Sequence, residues 1–198
     1  MAYLPDKLPK ARVLITVKTY PTPSRSYKEL VCTAGLLDGE KWIRIYPVPF
    51  RFLEDTQQYP KYSWVEIDLV RRTRDFRPES YSPKLGIDER FIVLGKISTG
   101  TARDWAGRKS YILNEVFTSM TVLIQLAKSP MKKSLATLKP TRIVDFVIEE
   151  EEREWKKEWA DQLRQLNMFI FSLPGNQPKI VFKLPYKFSY RFFSEGDN

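Results

Sequence analysis

The chain has 198 residues, a formal net charge of +9, no histidine and one cysteine, Cys32. Without histidine, Ser-His-Asp and Cys-His nucleophiles and the ordinary zinc sites cannot be built, and a single thiol excludes an internal disulfide framework and fits a reducing cytoplasm. The basic excess points to a polyanionic partner.

Residues 1–11 read as a loose basic leader without a secretory apolar segment. Arg12–Lys18 is a β-branched run between charges, hence a strand. The loop Thr19–Lys28 contains Pro21 and Pro23, which deny helix, and its Arg, Lys, Ser and Tyr side chains suit either phosphate contact or plain solvation. Leu30–Ala34 reads as a second strand ended by Gly35, in which Cys32 is a small buried hydrophobe rather than a nucleophile. Asp38-Gly39 then turns the chain into a hairpin.

The stretch Lys41–Arg51 alternates Ile43 and Ile45 with Trp42, Arg44 and Tyr46, so a guanidinium stands between two rings on one strand face. Such a row can stack a flat anionic ligand. It can equally pack its rings under a neighbour while the arginine reaches water. Phe50–Lys61 reads as a loop or short helical turn, and Tyr62–Val70 as a strand with Val65, Ile67 and Leu69 inward. Directly after it, Arg71, Arg72, Arg74 and Arg77 interleave with Phe76 and Tyr81, either to grip a phosphate backbone or as a solvated loop. Arg90–Ile97 is a further strand.

The second half changes character at Ser98-Thr99-Gly100-Thr101. A helix begins within Asp104–Lys109, and a clearer one covers Asn114–Lys128, with Val116, Met120, Leu123, Ile124 and Ala127 on one face and Ser129-Pro130 ending it. Arg142–Ile148 reads as a strand. The acidic run Glu149–Glu152 then suits the N-terminus of a helix Arg153–Asn167, in which Trp155, Trp159, Leu163 and Leu166 pack. In Lys179–Phe193 the apolar residues Phe182, Leu184, Tyr186, Phe188, Tyr190 and Phe192 share one face, and Lys183, Lys187 and Arg191 the other. Same-face residues lie ~6.6 Å apart, so these cations can follow a phosphate backbone; edge lysines that discourage aggregation are the competing reading. Together these elements predict an α+β chain: a small β-barrel over residues 1–100, OB-like or alternatively PUA-like, and a helical α+β segment with a C-terminal strand over 101–198.

No Gly-rich phosphate loop or dinucleotide fingerprint occurs, so no cofactor is expected. Glu66 and Asp68, with Asp75 and Glu79 downstream, form a weak carboxylate constellation for magnesium, and no metal ligands are assigned. No apolar run approaches the ~20 residues of a membrane span.

Several stretches resemble the dual OB-fold domains of prokaryotic conflict and DNA-processing systems: Lys18–Pro21, Tyr27–Gly35, Trp42–Arg51, Asp75–Ser80 and Pro185–Phe192. The resemblance covers most of the chain and contains no catalytic signature. It implies nucleic-acid binding, a second OB-like unit in the second half, and a chain that continues past the Tyr-Arg-Phe strand. The expected function is therefore a cytoplasmic nucleic-acid-binding module, for DNA or RNA, acting through Trp42, Arg44, Tyr46, Arg51, Arg71, Arg72, Arg74, Arg77, Lys183, Lys187 and Arg191. An accessory subunit whose C-terminal strand pairs with another protein is the alternative, ahead of a magnesium-dependent nuclease.

Overall fold

The computed structural model describes residues 4–20, 22–24, 28–50, 53, 55–84, 90–161 and 182–196. Arg51, residues 25–27 of the first loop, the helix expected beyond residue 161 and the start of the last strand, 179–181, lie outside the described residues.

Strand β1 (Lys7–Lys18) pairs antiparallel with β3 (Lys28–Leu37), against whose start the short β2 (Thr22–Ser24) lies. Strand β4 (Lys41–Val48) follows β3 through Asp38 and Gly39, both at positive φ as a tight hairpin turn requires. After a 3₁₀ turn at Asp55–Gln57 come β5 (Ser63–Arg71), β6 (Ser80–Pro83) and β7 (Ile92–Lys96). The sheet runs β1-β3-β4-β6-β5 and closes by pairing β5 with β1; on the other edge of β5, β6 pairs with its end and β7 with its beginning. A five-stranded barrel results, with one parallel contact, β4 to β6. Closure leaves no open edge among these five strands.

Period-two alternation fills the interior. Val13, Ile15, Ile43, Ile45, Val65, Ile67 and Leu69 point inward and are buried together with Tyr59, Tyr81 and Phe91. Tyr59 caps one end: its ring meets Phe50 and Phe91, and its hydroxyl lies 3.2 Å from that of Thr33. Burial pushes the phenol's ionisation upward. The outer face of β1 is also covered at its centre, where Leu14 stands between Leu36 and Trp64 in register.

The second half docks on the barrel through polar ties. Helix α1 (Ala106–Ile112) sends the buried Arg108 to the carbonyl of Ile97 at 3.0 and 3.1 Å, with its guanidinium 4.2 Å from the Tyr62 ring. Strand β8 (Val116–Phe117) precedes helix α2 (Met120–Lys128) and pairs in parallel with β9 (Thr137–Leu138). Between α2 and β9, Ser134 donates through its N–H and hydroxyl to Glu79 at 2.7 and 2.6 Å. Strands β10 (Arg142–Glu150) and β11 (Tyr186–Phe193) form a separate antiparallel ribbon.

Four expectations are corrected. The leader is not loose: Lys7 and Leu8 pair with Val70 and Leu69, and a bulge with Lys10 at φ 46° hides the alternation. Gly35 does not end β3 but sits inside it. The helix expected from Asn114 starts at Met120, where Ser119 caps it, because Val116 and Phe117 pair with β9 instead. Glu149 and Glu150 belong to β10, where Glu149 meets Lys187 at 3.0 Å; among the described residues of the expected helix, 157–161 are helical. The described second half is thus as much strand as helix.

Candidate nucleic-acid interface

Strand β4 holds Trp42, Arg44 and Tyr46 half-exposed on the outer wall of the barrel. The three do not share one environment. Trp42 lies beside Leu36, which continues through Leu14 to Trp64, so it joins an apolar row across the sheet. Tyr111 of α1 closes on that row, its ring 5.5 Å from Trp64. Arg44 instead lies between Ala34 and Ser80, and its Nη1 donates to Cys32 Sγ at 3.3 Å. Its Nε is buried without a hydrogen-bond partner, as is Ser63 Oγ at the start of β5, so an uncompensated donor stands in this wall.

The connection from β5 to β6 brings its arginines onto the same wall. The guanidinium of Arg72 lies 4.7 Å from the Tyr46 ring, and its Nη1 donates to the Tyr46 carbonyl at 3.4 Å. Asp75 fixes the rest of the loop. It accepts from Arg77 Nε and Nη2 at 2.8 and 2.7 Å, from the Arg77 N–H at 3.2 Å and from the Ser80 hydroxyl at 2.7 Å. The Arg77 bond above all holds the Asp75 carboxyl well below the usual carboxylate range, and the same pairing raises Arg77. Arg71 is turned inward: it donates to Asp6 at 2.7 Å, to the Pro78 carbonyl at 2.5 Å and to the Leu4 carbonyl. Arg71 is thus a strut that ties the N-terminal segment to the loop, while Arg74 is exposed.

Beside this wall opens a cleft of about 650 Å³, lined among others by Asp6, Arg71, Arg72, Phe76, Arg77 and Lys132. Four cations face two carboxylates, Asp6 and Asp75, so the lining is net positive. Phe76 is 78% exposed, a large apolar ring left in water beside cations. Lys132 comes from the turn after α2, so both halves of the chain build the cleft.

The remaining cations lie elsewhere. Lys183 donates to the Glu152 carbonyl at 2.6 Å, Lys187 meets Glu149, and Arg191 stands opposite Asp145 on the ribbon. Of the cations expected to bind phosphate, the structure therefore gathers Arg44, Arg71, Arg72 and Arg77 on the barrel and its loop, sets Lys187 and Arg191 on a different sheet beside acids, and leaves Lys183 beside Glu152 in the segment before that sheet. The carboxylates do not gather. Asp68 accepts the Lys10 N–H at 2.6 Å, Asp75 holds Arg77, and Glu79 holds Ser134. Among the described residues no three acidic or cysteine side chains are placed to hold a metal ion, and no helix is long and apolar enough to cross a membrane.

Sequence reasoning missed Lys132, which no local pattern links to the Arg71–Arg77 loop. Phe76 was legible as the ring of that basic run, but its exposure was not. Residues 9–114 match the family model described as Domain of unknown function (DUF8758). The chain belongs to the DUF8758 family. Residues 116–198 match a second model, Domain of unknown function (DUF8757). The DUF8758 stretch spans the closed barrel from β1 onward and α1, and the DUF8757 stretch spans β8 to β11 with Lys132. No curated protein and no solved structure matches the chain.

Proposed function

We propose that the chain is a nucleic-acid-binding module on an OB-type barrel, with single-stranded DNA or RNA crossing the outer wall of β3 and β4. The strand order supports the OB assignment. Counted along the chain, the five barrel strands run 1-2-3-5-4-1 around the wall, with the third and fifth parallel. OB-folds bind oligonucleotides on the face of strands 2 and 3 and with the loops between strands 1 and 2 and strands 4 and 5. The carrying observation is that the basic loop Arg71–Glu79 is the connection between barrel strands 4 and 5, and its Arg72 stacks on Tyr46 of strand 3. Bases would stack on Phe76 and Tyr46, and phosphates would lie against Arg72, Arg74, Arg77 and Lys132. A place in a prokaryotic defence or DNA-processing system rests on the resemblance alone.

Fluorescence anisotropy with labelled oligonucleotides tests this reading. Binding is expected to favour the single strand over the duplex. It should fall steeply with salt, by a slope near 0.7 per phosphate neutralised on a single strand. Phe76→Ala is expected to weaken it about tenfold, the worth of one stacked base. Arg74→Ala should instead lower the salt slope by about one contact. No binding to any oligonucleotide at low salt would overturn the proposal.

A further inference from the structure

The β10–β11 ribbon carries an apolar face that nothing described so far uses. Register places Tyr186, Phe188, Tyr190 and Phe192 of β11 beside Glu150, Ile148, Phe146 and Ile143 of β10 on one side. The rings form a connected set: Phe146 lies 6.0 Å from Phe188 and 4.9 Å from Tyr190, and Tyr186 lies 6.3 Å from Phe188. Yet Tyr186, Phe188, Tyr190, Phe146, Ile148 and Ile143 are each between 41% and 63% exposed. A two-stranded ribbon is marginal in water unless such a face is covered.

We infer that this face packs against the same face of a second copy, giving a four-stranded sandwich about a two-fold axis. Three features select that occupant. The first is charge. Glu150 is the one carboxylate on the face, which carries no lysine or arginine, and it sits at one end. A nucleic-acid strand would find no cation there, because Lys187 and Arg191 point to the other side. A two-fold axis perpendicular to the strands lays the Glu150 end of one copy over the Ile143 end of the other, so the two carboxylates stay apart. The second feature is area. The six exposed side chains offer roughly 600 Å² per copy, close to the ~800 Å² per partner of a standard interface.

The third feature is what the ribbon's edges refuse. Pairing β11 with a second β11 antiparallel about Ser189 would set Lys187 directly opposite Arg191. Pairing β10 with a second β10 about Val147 would set Asp145 opposite Glu149. Like charges opposite each other are destabilising. These centred edge registers are thus disfavoured, whereas at the face identical apolar surfaces meet isologously.

Sedimentation equilibrium of the full chain tests the inference, with wild type compared to Phe188→Glu and Ile148→Lys. Both positions are half-exposed in the single chain, so the far-ultraviolet circular dichroism should be unchanged. The wild type is expected to be a dimer at about 100 μM, and each variant should dissociate at least tenfold more readily, as for the loss of a central interface anchor. Oligonucleotide affinity should stay within about twofold, which separates this inference from the binding proposal. A wild type that is monomeric at about 100 μM overturns the inference, as does a dimer that neither variant weakens. Stoichiometric capture of a different protein by this face overturns it too.

Discussion

Gly35→Ala is expected to strip the barrel of a large part of its stability. At this position β3 runs tight beside β1, with Gly35 in register with Ile15 on one side and Ile43 on the other. An added Cβ would stand 2.2 Å from the Leu14 carbonyl oxygen and 2.9 Å from its carbon. Those atoms are backbone in a closed wall, held by hydrogen bonds on both sides. Relief therefore requires β1 and β3 to separate where Val13, Leu14 and Ile15 are all fully buried. Overpacking costs about 1–3 kcal/mol where side chains can yield, and more where they cannot. A loss of roughly 3 kcal/mol or more is a large fraction of the about 5–15 kcal/mol that holds a domain folded. Urea unfolding followed by tryptophan fluorescence measures it. Gly107→Ala in α1 is the control: its Cβ would lie 3.4 Å from the Ile97 side chain, an ordinary contact, and alanine favours helix, so its midpoint should hold or rise slightly. Equal midpoints for Gly35→Ala and wild type would show that the β1–β3 pairing relaxes freely.

Gly35 also shows where sequence reading stops. A glycine after a short apolar run reads as a strand end, because its commonest local role is punctuation. Its role here is set by a strand more than fifteen residues away, and no local pattern encodes that approach. The strands themselves were legible, because Val65, Ile67 and Leu69 and Ile43 and Ile45 alternate cleanly. Strand order was not, because alternation does not say which strand a wall residue meets. The same limit governs the candidate site. That Arg71–Arg77 is dense in arginine is plain in the sequence. That Arg71 is spent on Asp6, Leu4 and Pro78, and that Arg77 is held by Asp75, depends on partners brought by the fold. Trp42 and Arg44 likewise look alike as outward strand residues, yet their cross-strand neighbours give one an apolar row and the other a thiol and an unmet donor.

The other large effect is expected at Asp75. Its carboxylate is nearly buried, at 8% side-chain exposure, while Arg77 keeps 31%. Four hydrogen bonds converge on it and tie the middle of the loop to its end, since Ser80 begins β6. Asp75→Asn keeps the shape but removes the charge that aligns the Arg77 fork. Hydrogen bonds to charged groups contribute about 1.5–3 kcal/mol, and exposure of Arg77 discounts the pair toward the lower end, so roughly 2 kcal/mol should be lost at neutral pH. The pH dependence has a definite sign. The folded state lowers the Asp75 pKa below its ordinary 3.8, so folded protein binds this proton less readily than unfolded chain. The contribution is therefore complete above the ordinary value and is lost as pH falls through the folded one. The stability gap between wild type and Asp75→Asn should be flat from about pH 8 to 5 and shrink once the pH drops below about 4. Denaturant titrations across that range measure the gap, and one that widens toward acid would mean that Asp75 is not the anionic anchor of this loop. In the variant Arg77 is released toward the cleft while the loop loses its fixed shape. Oligonucleotide affinity should then drop although the lining has become more positive, because a phosphate site depends on where its cations are held as much as on how many there are.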